Sequence, residues 1–167
     1  MMRTGWRIVL EDQAATAFDG EGARLCGGRW NSVGVPMVYA SEHQSLAAFE
    51  IRVHIDKTKM RKLYKCFAFQ LDEQLMAVFR GGALPKDWMQ EPPPLALQLL
   101  GDNWVKSGAS VILAVPSVVI PKELNYLINP KHPDFAKLKI GPPTDFAFDQ
   151  RLSNDGLDRH SANARQA

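Results

Sequence analysis

The sequence has few cysteines, little excess charge of either sign and no long apolar run. Two cysteines occur in 167 residues, and the four histidines are scattered. Cys26 and Cys66 have neither metal-ligand nor CxxC spacing, so no zinc signature is present and the expected metal set is none. The pair allows one disulfide, but two thiols in a reducing, bacterial-type cytosol are the simpler expectation. The formal net charge is only +2, which argues against direct nucleic-acid binding. The densest basic cluster (Lys57, Lys59, Arg61, Lys62, Lys65) reads as a solvated turn and strand edge rather than a phosphate patch. No segment has the apolar length of a bilayer span. The stretch MMRTGWRIVLEDQAATAF lacks the apolar core and cleavage site of a signal peptide. A soluble, cytoplasmic protein is expected. Several chemical motifs are missing too: GxGxxG after a strand, GxxxxGK[ST], HExxH, an EF-hand loop and the GxSxG elbow.

What is present suits one domain able to bury its own core. Residues 6–10, 36–40, 63–71, 77–80, 110–115 and 144–151 read as strands from their alternation or β-branched content. A helix is expected from Ser41, with Ser41 and Gln44 as a capping box, to about His54, its apolar stripe being Leu46, Phe49 and Val53. A second is expected from Pro94 toward Trp104, weakened by Gly101. Residues 14–18 read as a turn of helix broken by Gly20 and Gly22. Strands and helices that do not alternate steadily favour α+β. The domain is expected over 1–151, with a polar, mobile tail over 152–167.

The stretch GGRWNSVGVPMVYASEHQSLAAFE, residues 27–50, concentrates the candidate chemistry. Gly27 and Gly28 would let backbone approach a ligand, and the Arg29 guanidinium matches phosphate oxygens. Two glycines equally make a plain turn, and Trp30 reads as core. Asn31 and Ser32 are polar turn residues. Tyr39 ends a strand and can stack on a flat heterocycle, or simply sit half-buried with its hydroxyl in water. The helix pattern alone favours a Glu50 swung into solvent over one that needs a buried partner. Ser117 follows a buried strand and is either a pocket hydrogen-bonding group or a turn serine.

Taken with GWRI near the start, LGDNWVKS, VPSVVIPKELNYLINPKHPDF and FAFDQRL, this stretch resembles the RES domain family, the toxin half of RES–Xre toxin–antitoxin modules. The resemblance covers roughly residues 5–151. It implies a single α+β domain with a mixed, mostly antiparallel sheet and flanking helices, related to ADP-ribosyltransferase toxins. It also implies NAD⁺ as substrate, with no cofactor, and a growth-arresting toxin that cleaves the nicotinamide–ribose bond with water or phosphate as acceptor. The alternative it leaves is an ADP-ribosyltransferase acting on a particular cellular protein. The family's constellation maps onto Glu50, Arg29 and Tyr39 as catalytic residues, and onto Gly28, Arg29, Asn31, Tyr39 and Ser117 as substrate-binding residues. An Xre-like helix-turn-helix antitoxin would block the pocket, and a homodimer within that complex is allowed.

Overall fold

The computed structural model describes residues 1–60, 62–79 and 84–152. Its centre is formed by two long strands. β1 (Met2–Leu10) runs antiparallel to β3 (Tyr64–Asp72), from Met2 opposite Asp72 to Leu10 opposite Tyr64. β2 (Val38–Ser41) meets the other edge of β1 through a single pair, Trp6 with Ser41. Beyond β2 lie β6 (Leu124–Ile128), β5 (Ile112–Pro116) and β4 (Met76–Val78). β7 (Lys139–Ile140) and β8 (Thr144–Phe146) both pair with the far edge of β3. β4 runs parallel to β5, and among the described residues every other pairing is antiparallel. This is the mixed, mostly antiparallel α+β sheet expected from the sequence.

Register decides which side chains share a face, because paired residues point the same way. Trp6, Ser41 and Asn125 are aligned across β1, β2 and β6, as are Tyr39, Leu127 and Leu113 across β2, β6 and β5. Two helices cover this face. α2 (Gln44–His54) lies on the cluster of Ile8, Tyr64 and Cys66 through Ala47 and Ile51. α4 (Leu95–Ser107) lies on Leu113, Val115 and Leu127 through Leu97 and Trp104, with Trp30 and Met37. The opposite face buries Val38, Ala40, Phe69, Leu71, Ile112, Ala114, Tyr126 and Ile128. Short helices α1 (Glu21–Cys26) and α3 (Lys57–Met60) complete the set. No helix among the described residues is long and apolar enough to cross a membrane.

Several expectations need correction. Ser41 belongs to β2 and its hydroxyl donates to Asn125 Oδ1 (2.8 Å); α2 starts at Gln44 after His43, with no side-chain cap. Phe49 and Val53 are 48% and 56% exposed, while Leu46 and Ala47 are buried. The helix is thus rotated so that small Ala47 faces the sheet, and this rotation turns half-buried Glu50 toward the cavity. Gly22 does not break a helix but lies within α1, which follows the left-handed Gly20. Residues 11–16 form a 3-10 turn in place of the helical turn expected at 14–18. Leu63 precedes β3 and is exposed. The strand expected over 144–151 stops at Phe146, and β6 and β7 were not anticipated. Of the strand expected at 77–80, β4 ends at Val78, Phe79 N–H still donates to the Ala114 carbonyl, and Arg80 lies outside the described residues, as does nearly all of the expected tail.

Gly101, a weakness in sequence terms, has a packing reason. A Cβ there would lie 1.8 Å from the Trp30 carbonyl oxygen, so only glycine lets α4 press on the loop that carries Arg29. Backbone cannot retreat as a flexible side chain can. Gly101→Ala should therefore destabilise the fold by about 2 kcal/mol or more, despite alanine's better helix propensity, measured by urea denaturation.

Candidate active site

A cavity of about 560 Å³ opens between α2 and α4, walled in part by Gly28, Arg29, Tyr39, Glu50, Gln98 and Asn125. Four of the six residues expected from the sequence thus share one cavity. Asn31 and Ser117 have no exposed surface and stand behind its wall.

Glu50 is positioned from three elements. Its Oε1 accepts from the Ser117 hydroxyl (2.7 Å) and from Asn125 Nδ2. The Ser117 oxygen itself accepts the backbone N–H groups of Val119 and Ile120, both at 3.0 Å. With its acceptor capacity used from behind, the hydroxyl's one proton is aimed at Glu50. Ser41 does the same for Asn125: by donating to Oδ1 it fixes the amide so that the NH₂ points at the carboxylate. Two donors converge on Oε1, and among the described residues Oε2 has no hydrogen-bond partner. The carboxylate is therefore oriented by one oxygen and open at the other.

The Arg29 loop is held with equal economy. Gly28 N–H donates to the Asn31 carbonyl, closing a tight turn. The Tyr39 hydroxyl accepts from Trp30 N–H (3.0 Å) and donates to Asn31 Oδ1 (2.7 Å). Asn31 Nδ2 donates to the carbonyls of Ala23, Ser32 and Val35. From α4, Gln98 donates to the Gly28 carbonyl and Asp102 accepts from Ser32 N–H. A Cβ on Gly28 would lie 2.6 Å from the Tyr39 oxygen, so glycine is required by packing, independently of any ligand. The Tyr39 hydroxyl is spent on this loop and its ring faces the cavity; Asn31 acts through it.

Arg29 projects from the loop with its side chain 18% exposed. Its Nη1 donates to the carbonyls of Trp88 and Gln90 (both 3.0 Å), and Nη2 donates to Glu91 Oε2 (2.8 Å). Glu91 is 74% exposed, and such a pair contributes roughly 1 kcal/mol or less. The carbonyls fix the guanidinium, and the carboxylate is a weakly held anion that another anion can replace.

Asn125, Ser41 and Glu91 were not picked out as site residues by sequence reasoning. Asn125 carried a signal, since a polar residue inside the apolar run LNYLI must find a partner if buried. Glu91 carried none.

Burial raises the Tyr39 pKa above its ordinary value. Tyr39→Phe would leave Trp30 N–H and Asn31 Oδ1 unsatisfied, so a loss of about 1–3 kcal/mol is expected in urea denaturation at neutral pH. Above pH of about 10 the unfolded chain gives up this phenolic proton while the folded chain keeps it, so the wild-type advantage should shrink as pH rises further.

Comparison with known proteins agrees with this architecture. The RES domain family model matches residues 4–149. A Toxin Res from Yersinia enterocolitica is 34% identical over 148 residues, covering 88% of this chain and 97% of that protein. A Prs ADP-ribosylating toxin from a Sphingobium species is 34% identical over 157 residues, covering 91% and 98%. Among solved structures, a chain of the M. tuberculosis MbcT–MbcA toxin–antitoxin complex superposes with a TM-score of 0.73 at 15% identity, over 88% of this chain and 85% of that one. The chain belongs to the RES domain family, the family of these Res toxins.

Proposed function

We propose that this protein is a toxin that degrades NAD⁺, cleaving the bond between nicotinamide and ribose with water or inorganic phosphate as acceptor, and so arrests growth. The observation that carries the reading is the Glu50 carboxylate, held through Oε1 by Ser117 and Asn125 with Oε2 turned loose. As the C–N bond breaks, positive charge builds on the ribose and the ring leaves neutral. A pre-aimed carboxylate beside the sugar stabilises that charge without having to reorganise. Arg29 binds the diphosphate, exchanging Glu91 for it while the Trp88 and Gln90 carbonyls hold the guanidinium in place. The Tyr39 ring flanks the substrate, and its hydroxyl keeps the arginine loop in register. Asn31 and Ser117 position these groups and do not touch substrate.

The relative named for ADP-ribosylation of Prs favours a second reading, in which the same bond is broken but a protein side chain is the acceptor. The first half-reaction and its residues are identical. Labelled NAD⁺ in a cell lysate separates the two: a discrete labelled protein band marks transfer, and small-molecule products alone mark degradation. The toxin names of the relatives and the toxin–antitoxin complex of the structural neighbour support a cognate antitoxin, expected to be Xre-like and to cap the Arg29 cavity.

Purified protein incubated with NAD⁺ should release nicotinamide. Glu50→Gln keeps the shape and removes the charge, and should lower kcat by about 100-fold or more. Glu91→Gln removes the competing anion, and should lower KM for NAD⁺ by about 2–5-fold with kcat little changed. Glu50→Gln releasing nicotinamide as fast as wild type would sink the assignment.

A further inference from the structure

Gln98 stands in the cavity wall on the α4 side, and only one end of its amide is used. Its Nε2 donates to the Gly28 carbonyl (2.9 Å). A carbonyl only accepts, so the NH₂ is the end that meets it, and the orientation of the amide follows. Among the described residues Gln98 Oε1 has no hydrogen-bond partner. The helix beneath it is fixed to the same loop. One turn on, Asp102 accepts from Ser32 N–H (3.0 Å), and between them Gly101 lies against the Trp30 carbonyl. Gln98 is thus a half-buried amide, anchored by its nitrogen, with a spare acceptor oxygen at the cavity.

The order of groups around the cavity gives this acceptor a partner. Glu50 is on α2, the Arg29 guanidinium reaches Gln90 and Glu91 in the segment leading into α4, and Gln98 is on α4 itself. In NAD⁺ the diphosphate separates the ribose that bears nicotinamide from the ribose that bears adenine. With the first ribose at Glu50 and the diphosphate at Arg29, the second falls to the α4 wall. We propose that Gln98 Oε1 accepts the 2′-hydroxyl of the adenosine ribose, and that Gln98 thereby selects NAD⁺ against its 2′-phosphorylated form, NADP⁺. This rests on the NAD⁺ reading above. A hydroxyl has a proton to give to an amide oxygen. A phosphate monoester on the same carbon carries about −1.5 to −2 charges at neutral pH. It would set its own acceptor oxygens against an acceptor, in a cavity that Glu91 also lines. In dinucleotide-binding folds the same choice, an acceptor for a 2′-hydroxyl or a cation for a 2′-phosphate, separates NAD sites from NADP sites. Gln98 holds substrate away from the breaking bond, so its effect falls on KM more than on kcat.

The test follows nicotinamide release by the full chain from NAD⁺, from its analogue lacking the adenosine 2′-hydroxyl, and from NADP⁺. Wild type should favour NAD⁺ over the deoxy analogue by about 5–10-fold in kcat/KM, mainly through KM. Gln98→Met keeps the length and loses the acceptor, and should reduce that preference to about twofold or less. If Gln98 serves only to hold Gly28, the methionine variant slows both substrates in equal proportion and keeps the wild-type preference, which overturns the proposal. Gln98→Arg keeps a donor for the Gly28 carbonyl and puts a cation where the acceptor was. It should raise the ratio of kcat/KM for NADP⁺ to that for NAD⁺ by about 10-fold or more. An unchanged ratio, or a wild type that cleaves all three substrates equally well, overturns the proposal too. Failure of the NAD⁺ reading looks different: wild type then releases nicotinamide from none of the three, and the subsite falls with it.

Discussion

The Ser117–Glu50–Asn125 contact is the interaction on which the rest of the site depends. A glutamate on a helix is free to turn toward water, and two hydrogen bonds to a carboxylate, each worth about 1.5–3 kcal/mol, prevent that. Neither donor acts alone. Two backbone N–H groups after β5 set the serine, and a serine on β2 sets the asparagine on β6. Four segments far apart in the chain thus agree on the direction of one carboxylate. The sheet register makes this agreement possible, because Ser41 and Asn125 are paired residues on the face that α2 covers.

The arginine side of the cavity follows a different logic. No strand carries Arg29; it stands on a loop, and loops hold geometry only when their polar groups are satisfied. The Tyr39 hydroxyl and the Asn31 amide supply that satisfaction from inside, and α4 supplies it from outside through Gln98 and Asp102. Gly28 and Gly101 are points where this loop and its neighbours approach too closely for any Cβ. Rigid support reaches the guanidinium through neutral carbonyls, and its only acidic partner among the described residues is the exposed Glu91. The site is thus firm where geometry must be kept and loose where an anionic ligand must enter.

The fold class and four cavity-lining residues were legible in the sequence, the latter through a family resemblance more than through local pattern. Local pattern placed the stripe of α2 on Leu46, Phe49 and Val53, which would have left Glu50 at the helix edge. Tertiary packing overrode it: Ala47 lets the helix lie close to the sheet, and beside buried Leu46 the inward stripe runs through Ala47 to half-buried Glu50 and Ile51. The capping box at Ser41 failed for a similar reason, since its hydroxyl has a stronger claim across the sheet on Asn125. Strand β6 lies between Pro121 and Pro130 in a stretch to which the sequence pattern assigned no element, so its polar member pointed to no site. Pairings such as Asn125 with Glu50 and Arg29 with Glu91 join residues 75 and 62 positions apart, a range that periodicity does not reach.

The central claim is that Ser117 and Asn125 serve the reaction by aiming Glu50, so their effects must disappear when Glu50 is no longer a carboxylate. The most direct measurement is the rate of nicotinamide release from NAD⁺ for Ser117→Ala and Asn125→Ala, each made in wild type and in Glu50→Gln. The account predicts a loss of about 10-fold for each in the wild-type background and almost none in the Glu50→Gln background. Losses of the same size in both backgrounds would contradict it.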